Sequence, residues 1–206
     1  MRLLTIFSAI VLAFLSFGSL KAQHSPIYTT PLSSLNENRG FNFQVSTIGL
    51  GFGGTWGKRA FDNVWFNLSS RLDLIQEDGD IPRNTVTGET INNESTILMV
   101  PVILETRYYP HFDALDPSLR PHFGVGVGGI LGWSFPRDDA EDGVKNNFAM
   151  APTGFVNLGV DYFSSNFSYF GFNIRYNFVK FAEPLFGTDD EYSNFALMVN
   201  FGKLIK

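Results

Sequence analysis

Few side chains in this chain are equipped for chemistry. There is no cysteine, and the only histidines are His24, His111 and His122. A nucleophilic mechanism needs an activated hydroxyl, thiol or amine beside a base. The last two histidines flank one turn and read as turn or interfacial residues rather than as a base. The acidic run Asp189-Asp190-Glu191 falls in a loop and reads as solvated charge. Without cysteine there is no thiolate metal site, no disulfide framework and no acylated anchor. Gly124-Val-Gly-Val-Gly128 is not a phosphate loop, because its glycines repeat every second residue along one strand face instead of opening a helix. The expectation is a non-enzyme with no cofactor and no metal site.

Six charged residues remain as a candidate constellation: Arg71, Asp73, Glu105, Arg107, Asp161 and Arg175. Three are positive and three negative, and each falls on the polar side of an alternating segment. Buried charges must pair and hydrogen-bond, so the six are expected to form an ion-pair network inside whatever these segments enclose.

The elements that would position them are strands with a two-residue period. The clearest runs from Phe167 to Phe181. Phe170, Phe172, Ile174, Tyr176 and Phe178 share one face; Tyr169, Gly171, Asn173, Arg175 and Asn177 share the other. Val64–Gln76 places Val64, Phe66, Leu68, Leu72 and Leu74 on the apolar face. Thr96–Tyr109 does so with Leu98, Val100, Val102, Leu104 and Tyr108, and Arg120–Trp133 with Phe123, Val125, Val127, Leu131 and Trp133. Phe155–Phe163 presents Val156, Leu158, Val160 and Tyr162, and Asn194–Ile205 presents Phe195, Leu197, Val199 and Phe201. The polar faces hold Asn, Gly and a few charges, whereas a soluble sandwich would turn Lys and Glu to water. Apolar-out, polar-in strands are the pattern of a transmembrane β-barrel. The residues expected to face lipid include Phe66, Leu68, Val100, Val102, Val125, Val127, Leu158, Val160, Phe172, Ile174, Tyr176, Leu197 and Val199.

The start of the chain agrees with that class. Arg2 precedes an apolar run from Leu3 to Leu15, and small residues follow to Ala22. This is the order of a secretory signal peptide, so residues 1–22 are expected to be removed on export. The remainder carries 13 basic residues (15 less Arg2 and Lys21) against 20 acidic ones, a net charge of −7, which disfavours nucleic acid. Charged residues are 17% of the chain against roughly 25% in soluble domains, while Phe reaches 22 and Gly 20.

Connection lengths alternate. Residues 77–93, 134–147 and 182–193 are long, and 57–63, 110–118 and 164–166 are short; barrels of this kind have long outer loops and short periplasmic turns. Phe41–Trp56 supplies a seventh strand. Phe41, Phe43 and Val45 have one parity, and Ile48, Leu50, Phe52 and Trp56 the other, which predicts a β-bulge near Ser46. The alternative is a meeting of two strands there, but Ser46-Thr47 is a poor hairpin turn. An even strand count then requires a first strand in residues 23–39, at Ser25–Ser33. The resulting expectation is an all-β, antiparallel, up-and-down barrel of eight strands over residues 40–206 plus that segment.

The segment Val100-Pro-Val-Ile-Leu-Glu-Thr-Arg-Tyr-Tyr-Pro110, followed by Leu119-Arg-Pro-His-Phe-Gly-Val-Gly-Val-Gly128, resembles the central hairpin of small OmpW/OmpA-like outer-membrane barrels of the porin family. The resemblance implies a Gram-negative outer membrane, with its lipid and the barrel-insertion machinery as partners. Members of that family end on an aromatic residue, whereas here Phe201 is followed by Gly202-Lys-Leu-Ile-Lys206. Three roles are compatible with these residues: a closed barrel with a structural or surface-interaction role, a narrow conduit for small or apolar solutes, and a secreted soluble ligand-binding barrel. The three long loops hold twelve acids against Arg83, Arg137 and Lys145, a net −9, which suits divalent cations.

Overall fold

The computed structural model describes residues 35–78, 94–111, 115–116, 118–136, 147–164, 166–185 and 190–206. Eight antiparallel strands close into a barrel in sequence order: β1 (Glu37–Ser46), β2 (Gly49–Phe61), β3 (Val64–Asp78), β4 (Glu94–Tyr108), β5 (Leu119–Pro136), β6 (Asn147–Phe163), β7 (Ser168–Val179) and β8 (Asn194–Ile205). The closing seam pairs β1 with β8 from Glu37↔Ile205 to Ser46↔Ala196, so no sheet edge is left open. The start of β1, the end of β8 and the β2–β3, β4–β5 and β6–β7 strand ends lie at one end, the turn end. The strand ends that the β1–β2, β3–β4, β5–β6 and β7–β8 connections join lie at the other, the loop end.

The eight-stranded, up-and-down barrel agrees with the sequence, but the first hairpin does not. The segment 41–56 is not one bulged strand. It is the end of β1, the two-residue loop Thr47-Ile48 and most of β2, with Val45 opposite Leu50. Parity flips there because a two-residue loop pairs odd positions with even ones. Neither loop residue adopts the positive φ that two-residue hairpins usually need. Instead the Ser46 hydroxyl accepts from the Gly49 and Ile48 amides, at 3.0 and 3.4 Å, and donates to the Gly49 carbonyl at 3.0 Å. The eighth strand is therefore β1 itself, and Ser25–Ser33 lies outside the described residues. Two other bounds also move. β2 continues to Phe61, and β6 begins at Asn147 rather than Phe155. The β3–β4 ladder keeps its register but is interrupted opposite Pro101, which has no amide hydrogen to give.

Along each strand alternate residues point in, and the interior is stratified. At the turn end Leu35, Trp65, Tyr109, Phe163, Tyr169 and Leu204 pack together. At the loop end Ile75, Ile97, Met99, Ile130, Val179 and Phe181 do so, joined by Leu185 and Tyr192 from the β7–β8 connection. That connection folds inward on two backbone bonds, Phe181 N–H to Asp190 and Tyr192 N–H to Val179. Polar side chains fill the layer between the two apolar plugs.

Candidate functional site

The polar layer is built from inward positions near the middle of the strands. Glu105 on β4 is 2% exposed and receives Arg107 through two bonds, Nη2 to Oε2 at 3.0 Å and Nε to Oε1 at 3.2 Å. Asn157 on β6 donates to the same carboxylate at 2.8 Å, and Asn67 on β3 at 3.5 Å. Asn38 donates in turn to Asn67 at 2.9 Å, which ties β1 to the cluster. Arg107 also reaches Asp161 on β6 at 3.2 Å, and the Tyr109 hydroxyl donates to the same Asp161 oxygen at 2.6 Å. His122 Nδ1 lies 3.5 Å from that oxygen, and its Nε2 is 2.6 Å from the Asn173 side-chain oxygen. Charge-assisted bonds of this kind are the stronger ones; Arg107 makes them both along β4, to Glu105, and across to β6, at Asp161.

Five of the six charged residues singled out in the sequence meet in short ion pairs. Arg71 and Asp73 pair with each other on β3 at 3.2 and 3.4 Å, nearer the loop end. Arg175 stands apart. Its guanidinium lies 3.5 Å from the centroid of the Phe155 ring, and its Nε and Nη1 have no hydrogen-bond partner among the described residues. His122 is not at the surface of a turn: it is 3% exposed and faces inward. The parity of β5 puts it on the inner face, whereas its place beside the turn suggested the interface. His111 is exposed at the turn end. Tyr109, Asn38 and Asn173 are members that the sequence reading left out of the network; the period-two parity of their strands is the signal that finds them.

The inward glycines make room for this cluster. A side chain on Gly124 would meet Asn157 and Glu105, one on Gly126 the Phe155 ring, one on Gly159 Asn173, and one on Gly132 Leu185. Among the described residues the polar layer holds small cavities. A cavity of about 20 Å³ touches Gln44, Arg71, Asp73 and Ile130, and two of about 10 Å³ touch Asn42 and Arg175, and Trp65 and Asp161. Each has room for about one water. The arrangement holds charge in fixed positions, and its one histidine is enclosed with it.

On the outer surface all eight strands contribute exposed large hydrophobic side chains. Phe66, Leu68, Val102, Val125, Val127, Leu158 and Ile174 are exposed there, and Val100, Val160, Phe172, Tyr176, Leu197 and Val199 are half-buried on the same face. At the turn end, in the β4–β5 connection, the Asp116 carboxylate accepts from the Ser118 hydroxyl and amide at 2.6 and 2.8 Å. These bonds hold its carboxyl below the usual carboxylate range. Of the acidic loop residues, Glu183, Asp190 and Glu191 are described, and Asp190 lies 3.6 Å from Lys180. Glu77 and Asp78 end β3, and the others lie outside the described residues.

The strands define a class: a small, closed, antiparallel up-and-down barrel of eight strands. No family profile matches the chain, and no curated protein matches its sequence. Solved structures similar to it include Neisserial surface protein A (NspA), at 11% identity over 84% of this chain and 95% of that one, with a TM-score of 0.49. The N-terminal β-barrel domain of Pseudomonas aeruginosa OprF is 15% identical over 81% and 95%, with a TM-score of 0.47. Ail, the attachment invasion locus protein of Yersinia pestis, is 9% identical over 82% and 97%, with a TM-score of 0.46.

Proposed function

We propose that the chain is exported by the signal peptide at residues 1–22 and spans a Gram-negative outer membrane as a closed barrel with a structural or surface-interaction role. The observation that carries this reading is the filled interior. Apolar plugs occupy both ends, and the cavities lined by the described residues between them are of about 10–20 Å³. A solute conduit needs a continuous opening, whereas eight strands enclose a space that side chains can fill. Support for the membrane comes from the exposed apolar side chains on all eight strands. A soluble ligand-binding barrel would place a cavity inside and polar residues outside. The acidic outer loops then offer the contact surface, to divalent cations among other partners. Planar-bilayer recording on the purified barrel is the test. The expected result is no steady single-channel current, and steady currents would overturn the closed-barrel role. Recovery from the periplasm without detergent would overturn the membrane placement.

A further inference from the structure

The outer wall is not uniform. A groove of about 610 Å³ runs along it over β1, β2 and β3. Its floor is low because Gly54 and Ser70 are cross-strand partners, while Phe41 opposite Gly54 and Val102 opposite Ser70 form its sides. A Cβ on Gly54 would come no nearer to a neighbour than 3.8 Å, from the Gly40 carbonyl oxygen, so backbone crowding does not require a glycine there. The turn-ward end of the groove is cationic. Arg39 and Lys203 line it, and they are direct cross-strand partners on the β1–β8 seam, both exposed on the outer face. Like charges set directly opposite each other destabilise a sheet. Glu37 relieves this only in part. It lies 3.6 Å from Arg39 and is also the cross-strand partner of Lys58, so one carboxylate meets three cations, a net +2. Trp56, opposite Arg39, adds an aromatic ring at the same level, as is usual where a membrane wall meets headgroups.

We propose that this groove and its cation pair bind an anionic phospholipid of the periplasmic leaflet. One acyl chain lies over Gly54 and Ser70, and the phosphate bridges Arg39 and Lys203. The site rests on the membrane-spanning reading above. Its charge complementarity selects an anionic headgroup, and its position at the turn end, where the connections are short, selects the periplasmic leaflet.

The full barrel, reconstituted in vesicles and extracted in mild detergent, tests this by mass spectrometry of retained lipid. The vesicles contain phosphatidylglycerol and phosphatidylcholine of matched acyl chains. The wild-type chain should retain phosphatidylglycerol in preference, by roughly fivefold for each cation near the headgroup. Arg39→Gln with Lys203→Gln should abolish the preference, Gly54→Leu should reduce retention of both lipids, and Lys180→Gln at the loop end should change neither. Equal retention of the two lipids by the wild-type barrel overturns the site, and this comparison depends on no variant. An unchanged preference in the double variant also overturns it. So does a dimer that Gly54→Leu dissolves, which would give the groove to a second copy. A chain that stays soluble and never enters the vesicles defeats the membrane reading and the site together. An inserted barrel without preference defeats the site alone.

Discussion

Asp161 and two of the three inward arginines, Arg107 and Arg175, show how differently buried charges are held. Asp161 is fully buried and accepts from both Arg107 and Tyr109. Removing one partner of a buried pair leaves the other charge uncompensated, so Asp161→Ala is expected to cost about 3–5 kcal/mol. Arg107 bonds two carboxylates, whereas Arg175 rests on an aromatic ring with two nitrogens unpartnered. Arg107→Gln should therefore destabilise the barrel clearly more than Arg175→Gln. Urea unfolding in lipid vesicles, followed by tryptophan fluorescence, measures all three, and equal losses for the two arginines would contradict this account. The sequence marked both arginines as inward by parity. It did not separate them, because partnership depends on which side chains face each other across the barrel.

At the scale of the element, the first hairpin and the glycine-lined β5 make the sharpest predictions. Ser46 closes a loop whose residues lack the usual hairpin conformation, so Ser46→Ala should lose about 1 kcal/mol, the net worth of a hydrogen bond. Gly126 lies under the Phe155 ring, its register partner. Gly126→Val is expected to overpack the interior by about 1–3 kcal/mol, and Phe155→Ala in the same chain should recover part of that loss. A double-mutant cycle on unfolding free energies reads the coupling, and strict additivity would mean the ring does not need the glycine. The hairpin was partly legible. The parity flip between Val45 and Ile48 was visible, but a bulge and a tight loop produce the same flip. The side-chain bond that chose between them appears only in the fold.

For the molecule as a whole, the outer wall carries the membrane reading. Val127 is 69% exposed near the centre of β5, and Leu119 begins the same strand at the turn end. An arginine on the lipid side costs roughly 2–4 kcal/mol at the bilayer centre and about 0–1 near the interface. Val127→Arg should therefore destabilise the inserted barrel far more than Leu119→Arg, again by urea unfolding in vesicles. Similar costs at the two depths would argue that this wall does not sit in lipid.

The sequence by itself determined the strand class, five of the eight strands within a few residues, the end but not the start of β6, the even count and the two faces. Each of these follows from the two-residue period of side chains along a strand and from the alternation of connection lengths, both of which are local. Only the tertiary structure decided where β1 lies, that Leu185 and Tyr192 fold inward to plug the loop end, and that Trp65, Tyr109 and Tyr169 close the other end. It also decided that Arg175 stacks on Phe155 while Arg107 pairs. Parity states which residues point inward, but not which of them meet. That depends on the register around the closed barrel, which brings together side chains far apart in the chain.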